Sequence, residues 1–180
     1  MADLIEDSRQ QAGKHEVKHA WFAAHGIKVE RRKLDFGDYV RADGAGNISV
    51  DTKRSVDEIA QNIGGKEHAR FRRECERARD AGYKLVVLIE QDRGYDNLGD
   101  LVRWTNTHCV KCGYRVRGAC RPHVKDGKCP RHKTKKPIQG ARLYKAMQTM
   151  HDRYAVNFEL TTREGCARRI CEILGLEVDE

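Results

Sequence analysis

The sequence predicts an α/β fold, and three observations carry that class. Short β-branched or apolar runs alternate along the chain with segments of helical period. The run Leu85 to Ile89 is apolar throughout and bounded by turn residues, the pattern of a central strand buried on both faces. The run Ile48 to Lys53 alternates, which sets Ile48, Val50 and Thr52 on one face and Ser49, Asp51 and Lys53 on the other. At 180 residues the chain is most simply one domain, long enough to bury a substantial core.

Each element follows from its own pattern. Leu4 to Arg9 opens on a brief apolar strand. Val17, Ala20, Trp21 and Ala24 recur at i, i+3, i+4 and i+7, so residues 15–25 form an amphipathic helix with Trp21 in the core, ended by Gly26. Ile27 to Leu34 reads as a strand leading into a turn at Gly37-Asp38. After Lys53, Ser55 caps a helix that runs to Ile63, with Asp57 and Glu58 in its first turn. Gly64-Gly65 breaks that helix, and a second from about residue 66 to 79 buries Phe71, Cys75 and Ala78 while Arg70, Arg73 and Arg77 lie along another face. From Ala141 the stripe Leu143, Met147, Met150 and Tyr154 marks a helix, and Val156 to Leu160 a strand. Thr161 and Glu164 form a capping box for a last helix, whose stripe is Ala167, Ile170, Cys171 and Leu174 before Gly175. Cys166 and Cys171 are inert helix thiols on this reading.

The formal charge of +8 is concentrated. Between Cys109 and Lys136 ten Lys/Arg stand against Asp126 alone, so this segment is +9 and the rest of the chain about −1. Local basicity points to a nucleic-acid surface, with Lys133, Lys135 and Lys136 as phosphate contacts. A solvated linker is the plainer reading of those three lysines. The same segment holds Cys109-x-x-Cys112-Gly113 and Cys129-x-x-His132, two knuckles 16 residues apart, with Cys120 and His123 between them. Zinc takes four such ligands in a tetrahedron, and two tight knuckles supply two each. Cys109, Cys112, Cys129 and His132 are the chosen set, with Cys120 as the alternate to His132. A loop this polar has no core to offset its ordering entropy, whereas a metal does so. All four positions filled by protein make the zinc structural. No window approaches the roughly 20 apolar residues of a membrane span, and the amino terminus has no apolar leader, so a cytoplasmic protein with thiols or metal ligands rather than disulfides is expected.

Asp38 beside the strand that carries Asp51 and Lys53 would bring two carboxylates to a divalent cation, with an ammonium for charge on an attacked phosphate. The string Gly37-Asp38, a gap, Asp51-Thr52-Lys53, three residues and Asp57 resembles the excision-repair ERCC-type nuclease domain of XPF-like endonucleases, in the PD-(D/E)XK superfamily. That family carries GD, a gap, ERK, three residues and D. Asp7-x-Arg9 matches its opening D-x-R-E, Ile89-Glu90 the end of its central strand, and Arg70 the start of a later arginine motif. The chain departs from the pattern at Asp51 (Glu), Thr52 (Arg) and Gln10 (Glu). The likeness covers residues 1–90 and 140–175.

The resemblance implies a mixed β-sheet flanked by helices, a restriction-endonuclease-like core, here a single domain over residues 1–180 interrupted by a basic zinc-binding insert at about 95–138. It implies a Mg2+ (or Mn2+) ion held by Asp38, Asp51 and the Thr52 carbonyl, with Lys53 orienting water or stabilising charge. Asp7 and Asp57 would be further acidic positions and Arg70 a phosphate contact. Glu6 and Glu16 are alternatives to Asp7, and helix capping is the other reading of Asp57. The implied function is a metal-dependent endonuclease acting on DNA, branched or flapped, in repair or recombination, with a homodimer expected. The alternative is a catalytically weak or inactive zinc-ribbon nucleic-acid-binding protein on the same fold. No helix-hairpin-helix segment follows in this sequence, so choice among DNA structures would fall to the insert or a partner.

Overall fold

A computed structural model describes residues 2–11, 13, 15–65, 67–107 and 137–178. Six strands and five α-helices appear there in the order β1 (Leu4–Asp7), α1 (Glu16–Ala24), β2 (Val29–Arg32), β3 (Tyr39–Arg41), β4 (Ile48–Lys53), α2 (Val56–Gly64), α3 (His68–Asp80), β5 (Lys84–Glu90), α4 (Gly140–Tyr154), β6 (Asn157–Thr161) and α5 (Cys166–Leu174). The strands form one sheet in the order β2-β1-β3-β4-β5-β6. Only β3 runs against its neighbours; the other pairings are parallel, so the sheet is mixed.

Helices cover both faces, which is why the central strands read as buried. On one side Val50 and Leu88 pack with Phe22 of α1 and with Cys166, Ala167, Ile170, Cys171 and Leu174 of α5. On the other, Leu85, Val87 and Ile89 pack with α2, α3 and α4 through Ile59, Phe71 and Leu143. Ser55 caps α2 as its sequence predicts, its hydroxyl accepting from Glu58 N at 3.2 Å.

Four expectations change. The stripe predicted for α1 faces outward: Val17 is 39% exposed, Ala20 and Ala24 are exposed and Trp21 is half-buried, stacked on His25 at 3.9 Å. The helix instead buries Lys18 and Phe22, with His15 buried just ahead of it, because Lys18 is met by Glu90 on β5 and His15 by Gln10 in the turn after β1. Strand β4 is buried on both faces, with Ser49, Asp51 and Lys53 as enclosed as Val50. The last helix starts at Cys166 after Gly165, and it is Thr162 Oγ1 that accepts from Gly165 N, at 3.0 Å. Finally, the stretch from about residue 95, where the insert was expected to begin, packs into the core through Tyr95, Leu98, Leu101 and Trp104.

The chain around the insert is drawn together. Gly140 N donates to Trp104 O at 3.1 Å, and Asn106 Nδ2 donates to Ile138 O at 2.9 Å. A side chain at residue 140 would strike the carbonyls of Leu101, Val102 and Trp104, so glycine is required there. The zinc set Cys109, Cys112, Cys129 and His132, its alternate Cys120, and Lys133, Lys135 and Lys136 all lie outside the described residues.

Candidate active site

Asp7 ends β1, Asp38 immediately precedes β3, and Asp51 to Lys53 end β4. Backbone pairing brings them together, with Asp7 N donating to Asp38 O at 2.8 Å and Asp38 N to Val50 O at 2.7 Å. Because β3 is antiparallel, its first residues lie beside the carboxyl ends of β1 and β4, the end of an open α/β sheet where ligands bind. Gly37 makes the turn at φ 67°, a conformation in which a Cβ would also meet the Ser49 hydroxyl. A cleft of ≈ 380 Å³ opens there, lined by Asp7, Asp38, Asp51, Thr52 and Lys53, with Arg70 and Glu74 from α3.

The Asp38 carboxylate is held at both oxygens. Thr52 donates to Oδ2 from its backbone N at 2.8 Å and its hydroxyl at 2.6 Å, while the Gln10 amide donates to Oδ1. Lys53 Nζ lies 2.7 Å from Asp51 Oδ1 and 2.6 Å from Oδ2. Only the first contact has hydrogen-bond geometry, so buried Oδ2 lacks a directed donor. The ammonium 2.6 Å away nevertheless meets the charge of that oxygen. Glu74 Oε1 accepts from Gly37 N at 2.9 Å and so ties α3 to the turn.

Burial pushes the Asp51 pKa well above the ordinary carboxylate range, and Asp38 and Glu74 push the same way against the lowering by Lys53. For Lys53, burial pulls the pKa down, but Asp51, Asp38 and Glu74 outweigh it and hold the ammonium above its ordinary value. The carboxylates of Asp38, Asp51 and Glu74 are gathered near one ammonium, and the raised Asp51 pKa reflects its burial and their mutual repulsion. Hard oxygen donors crowded together, with their mutual repulsion registered at Asp51, fit a divalent cation such as Mg2+ or Mn2+.

The predicted residues divide. Asp7, Asp38, Asp51, Thr52, Lys53 and Arg70 share the cleft. Within it Asp7 is engaged by Arg9, whose Nε donates to Oδ2 at 2.7 Å, and Arg70 points outward, 73% exposed and 3.5 Å from Glu67. Asp57 lines other hollows, over α2. Its Oδ1 accepts from Thr107 Oγ1 at 2.5 Å and Thr107 N at 3.3 Å, beside the point where the described chain stops before the insert. Glu6 is buried away from the cleft against His19 and Tyr39, 2.9 Å from each. Sequence reasoning missed Gln10 as a partner of Asp38, the Thr52 side chain and Glu74. The departure from Glu at Gln10 was a visible signal; Glu74 sits in a run of charges that carried none.

The sequence pattern of the ERCC4 domain matches residues 6–110. No curated protein matches the chain. Among solved structures, XPF from Aeropyrum pernix is similar with a TM-score of 0.55 at 16% identity, covering 95% of this chain and 62% of that one. XPF from Aeropyrum pernix in complex with DNA is similar with a TM-score of 0.57 at 17% identity, covering 97% of this chain and 64% of that one. The chain thus spans less than two-thirds of either, and at such identity the likeness concerns the fold. The six-stranded mixed sheet with its flanking helices is the fold of those structures. With more than half of its residues inside the domain match, this chain belongs to the ERCC4 domain family of nucleases.

Proposed function

We propose that this chain is a divalent-metal-dependent DNA endonuclease, selective for DNA structure and acting in repair or recombination. The observation that carries the reading is the cleft in which the carboxylates of Asp38 and Asp51 meet the Lys53 ammonium. Family membership supplies the reaction class, and the DNA in the similar XPF complex supports the substrate.

Asp38, Asp51 and the Thr52 carbonyl would hold the ion. When bound, Mg2+ or Mn2+ lowers the pKa of a coordinated water and offsets charge on the scissile phosphate. Lys53, kept protonated by the surrounding carboxylates, places a fixed positive charge where the phosphorane develops negative charge. Thr52 and Gln10 fix the Asp38 carboxylate, so little reorganisation is needed. Arg70 at the exposed rim would take a neighbouring phosphate. Asp7, bound to Arg9, shapes the wall of the cleft.

The insert would bind one structural zinc through Cys109, Cys112, Cys129 and His132, or Cys120 in place of His132, and grip DNA through Lys133, Lys135 and Lys136. Asp57 belongs to this part of the reading: it anchors Thr107 at the insert's base. Pairing of two copies is also part of the proposal. Among the described residues no helix is long and apolar enough to cross a membrane.

A second reading has one observation in its favour. Gln10 and Thr52, two of the three departures from the family pattern, both donate to Asp38 and occupy positions on that carboxylate that a metal would otherwise take. On that reading the protein binds nucleic acid and cleaves weakly or not at all. A cleavage panel of single-stranded, duplex, flap, fork and four-way junction DNA, with and without Mg2+, decides. Mg2+-dependent cleavage of a branched substrate supports the nuclease; binding without cleavage across the panel supports the alternative.

A further inference from the structure

His15 stands just ahead of α1 and is only 7% exposed. Its Nε2 lies 2.8 Å from Gln10 Oε1, and the Gln10 amide donates in turn to Asp38 Oδ1. The chemistry of each group fixes the direction of this chain. An ionised carboxylate only accepts, so the Gln10 NH2 must face Asp38 and its carbonyl must face His15. A carbonyl also only accepts, so His15 must donate from Nε2. A neutral ring then carries its lone pair on Nδ1, a buried atom with no hydrogen-bond partner among the described residues. Burial, with Lys18 nearby, lowers the His15 pKa and favours that neutral ring. Glutamate in place of Gln10 would set one carboxylate against another; the amide, held by an imidazole, makes the contact attractive.

Occupancy at Asp38 gives the arrangement a consequence. A carboxylate offers about four lone-pair positions. Thr52 fills both on Oδ2 and Gln10 fills one on Oδ1, which leaves a single position on Oδ1. If the Gln10 amide inverted, its carbonyl would repel Oδ1 and release that oxygen, and the contact to His15 adds to Asp38's own preference against inversion.

We propose that His15 is a positioning residue that, through Gln10, holds Asp38 in the orientation that binds the divalent cation. The proposal rests on the reading of the cleft as a metal site and adds to it a residue with no counterpart in the motif string. Partners one step removed from a metal typically change its affinity 10- to 100-fold, and His15 acts one step further out, so about tenfold is expected.

The test is Mn2+ affinity measured by titration calorimetry on full-length, zinc-replete protein, with Asp51→Asn as the blank and circular dichroism to check folding. His15→Ala should weaken Mn2+ binding about tenfold. His15→Gln, whose amide nitrogen falls near the place of Nε2, should restore it. His15→Asn, whose nitrogen falls near Nδ1, should not. The glutamine and asparagine variants give the answer even if the alanine variant unfolds. Unchanged affinity in folded His15→Ala, or equal rescue by asparagine and glutamine, overturns the positioning role and leaves the metal site standing. Absence of Mn2+ binding in the unaltered protein overturns the metal site, and this proposal with it.

Discussion

Asp51 and Lys53 have side chains only 4% and 9% exposed, and this burial changes what their substitution should do. The alternation of β4 places them together on one face, and that much is legible in the sequence. It also suggests a solvent-facing cleft, where either residue could be removed with little effect on folding. The structure instead sets Lys53 Nζ 5.5 Å from the centre of the Phe71 ring, under α3. Breaking a buried pair leaves one uncompensated charge and typically costs about 3–5 kcal/mol, whereas replacing both partners is often nearly neutral. Lys53→Met should therefore lower stability by about 3 kcal/mol, and the Asp51→Asn/Lys53→Met double variant should recover most of that loss. Neither should cleave DNA. Urea unfolding of the two, read beside a cleavage assay, checks this; a double variant as unstable as Lys53→Met would show that the pair is not the coupled unit described. The partners of Gln10, His15 and Glu74 were hidden from sequence reasoning for a different reason, even though Gln10 itself stood out as a departure from the pattern. Their roles depend on which side chains meet across turns and between elements, and no local period encodes that.

Elements with strong stripes read well. The apolar residues of α3 (Phe71, Cys75, Ala78), of α4 (Leu143, Met147, Met150) and of α5 (Ala167, Ile170, Cys171, Leu174) are buried as their spacing predicts. The three residues of β3 are too few to show a period, and the strand exists because β1 and β4 pair with its two edges. Helix α1 misleads because its stripe is weak, two alanines and a valine around one tryptophan. Opposite that stripe, Lys18 reaches Glu90 at the end of β5, at 2.6 Å with both side chains buried, and His19 reaches Glu6. An ion pair with a partner at the right depth thus decides the face, and Phe22 follows it into the core, 1% exposed. Phe22→Ala should then cost about 3–5 kcal/mol through the cavity it leaves. Val17→Ala, on the predicted core stripe, should change stability by less than about 0.5 kcal/mol. Denaturant midpoints of the two variants test the orientation directly; comparable losses would return α1 to the face its sequence suggested.

At the scale of the whole chain, the nuclease-like body and the basic segment are separable in both charge and anchoring. The body closes on itself through the Trp104–Gly140 and Asn106–Ile138 hydrogen bonds, so after the insert β6 completes the sheet while α4 and α5 cover its faces. Thiol chemistry tests the zinc reading of that insert. Burial pushes Cys75 and Cys166 up to about 12 and Cys171 up to about 11, so at pH 8, below those raised values, they are protonated and unreactive in the folded protein. Protein containing about one zinc per chain, bound by Cys109, Cys112, Cys129 and His132, should show a single fast thiol, Cys120, and three more after chelation. No fast thiol before chelation would make Cys120 the ligand in place of His132, and four without any metal would remove the zinc. The last prediction joins insert to function. With +9 of the chain's +8 net charge lying between Cys109 and Lys136, the body at about −1 has little long-range attraction for DNA, so affinity should depend on the insert. Neutralising Lys133, Lys135 and Lys136 together should weaken binding to all sequences about equally and flatten the slope of log affinity against log salt by roughly 0.9 for each lost phosphate contact on duplex DNA. Cleavage at saturating DNA should persist, because Asp38, Asp51 and Lys53 are set by strand pairing within the body. Binding isotherms across about 50 to 200 mM salt give the measurement. An unchanged slope would make these lysines a solvated linker, and the grip on DNA would then belong to the arginines at the rim of the cleft, Arg70 first among them.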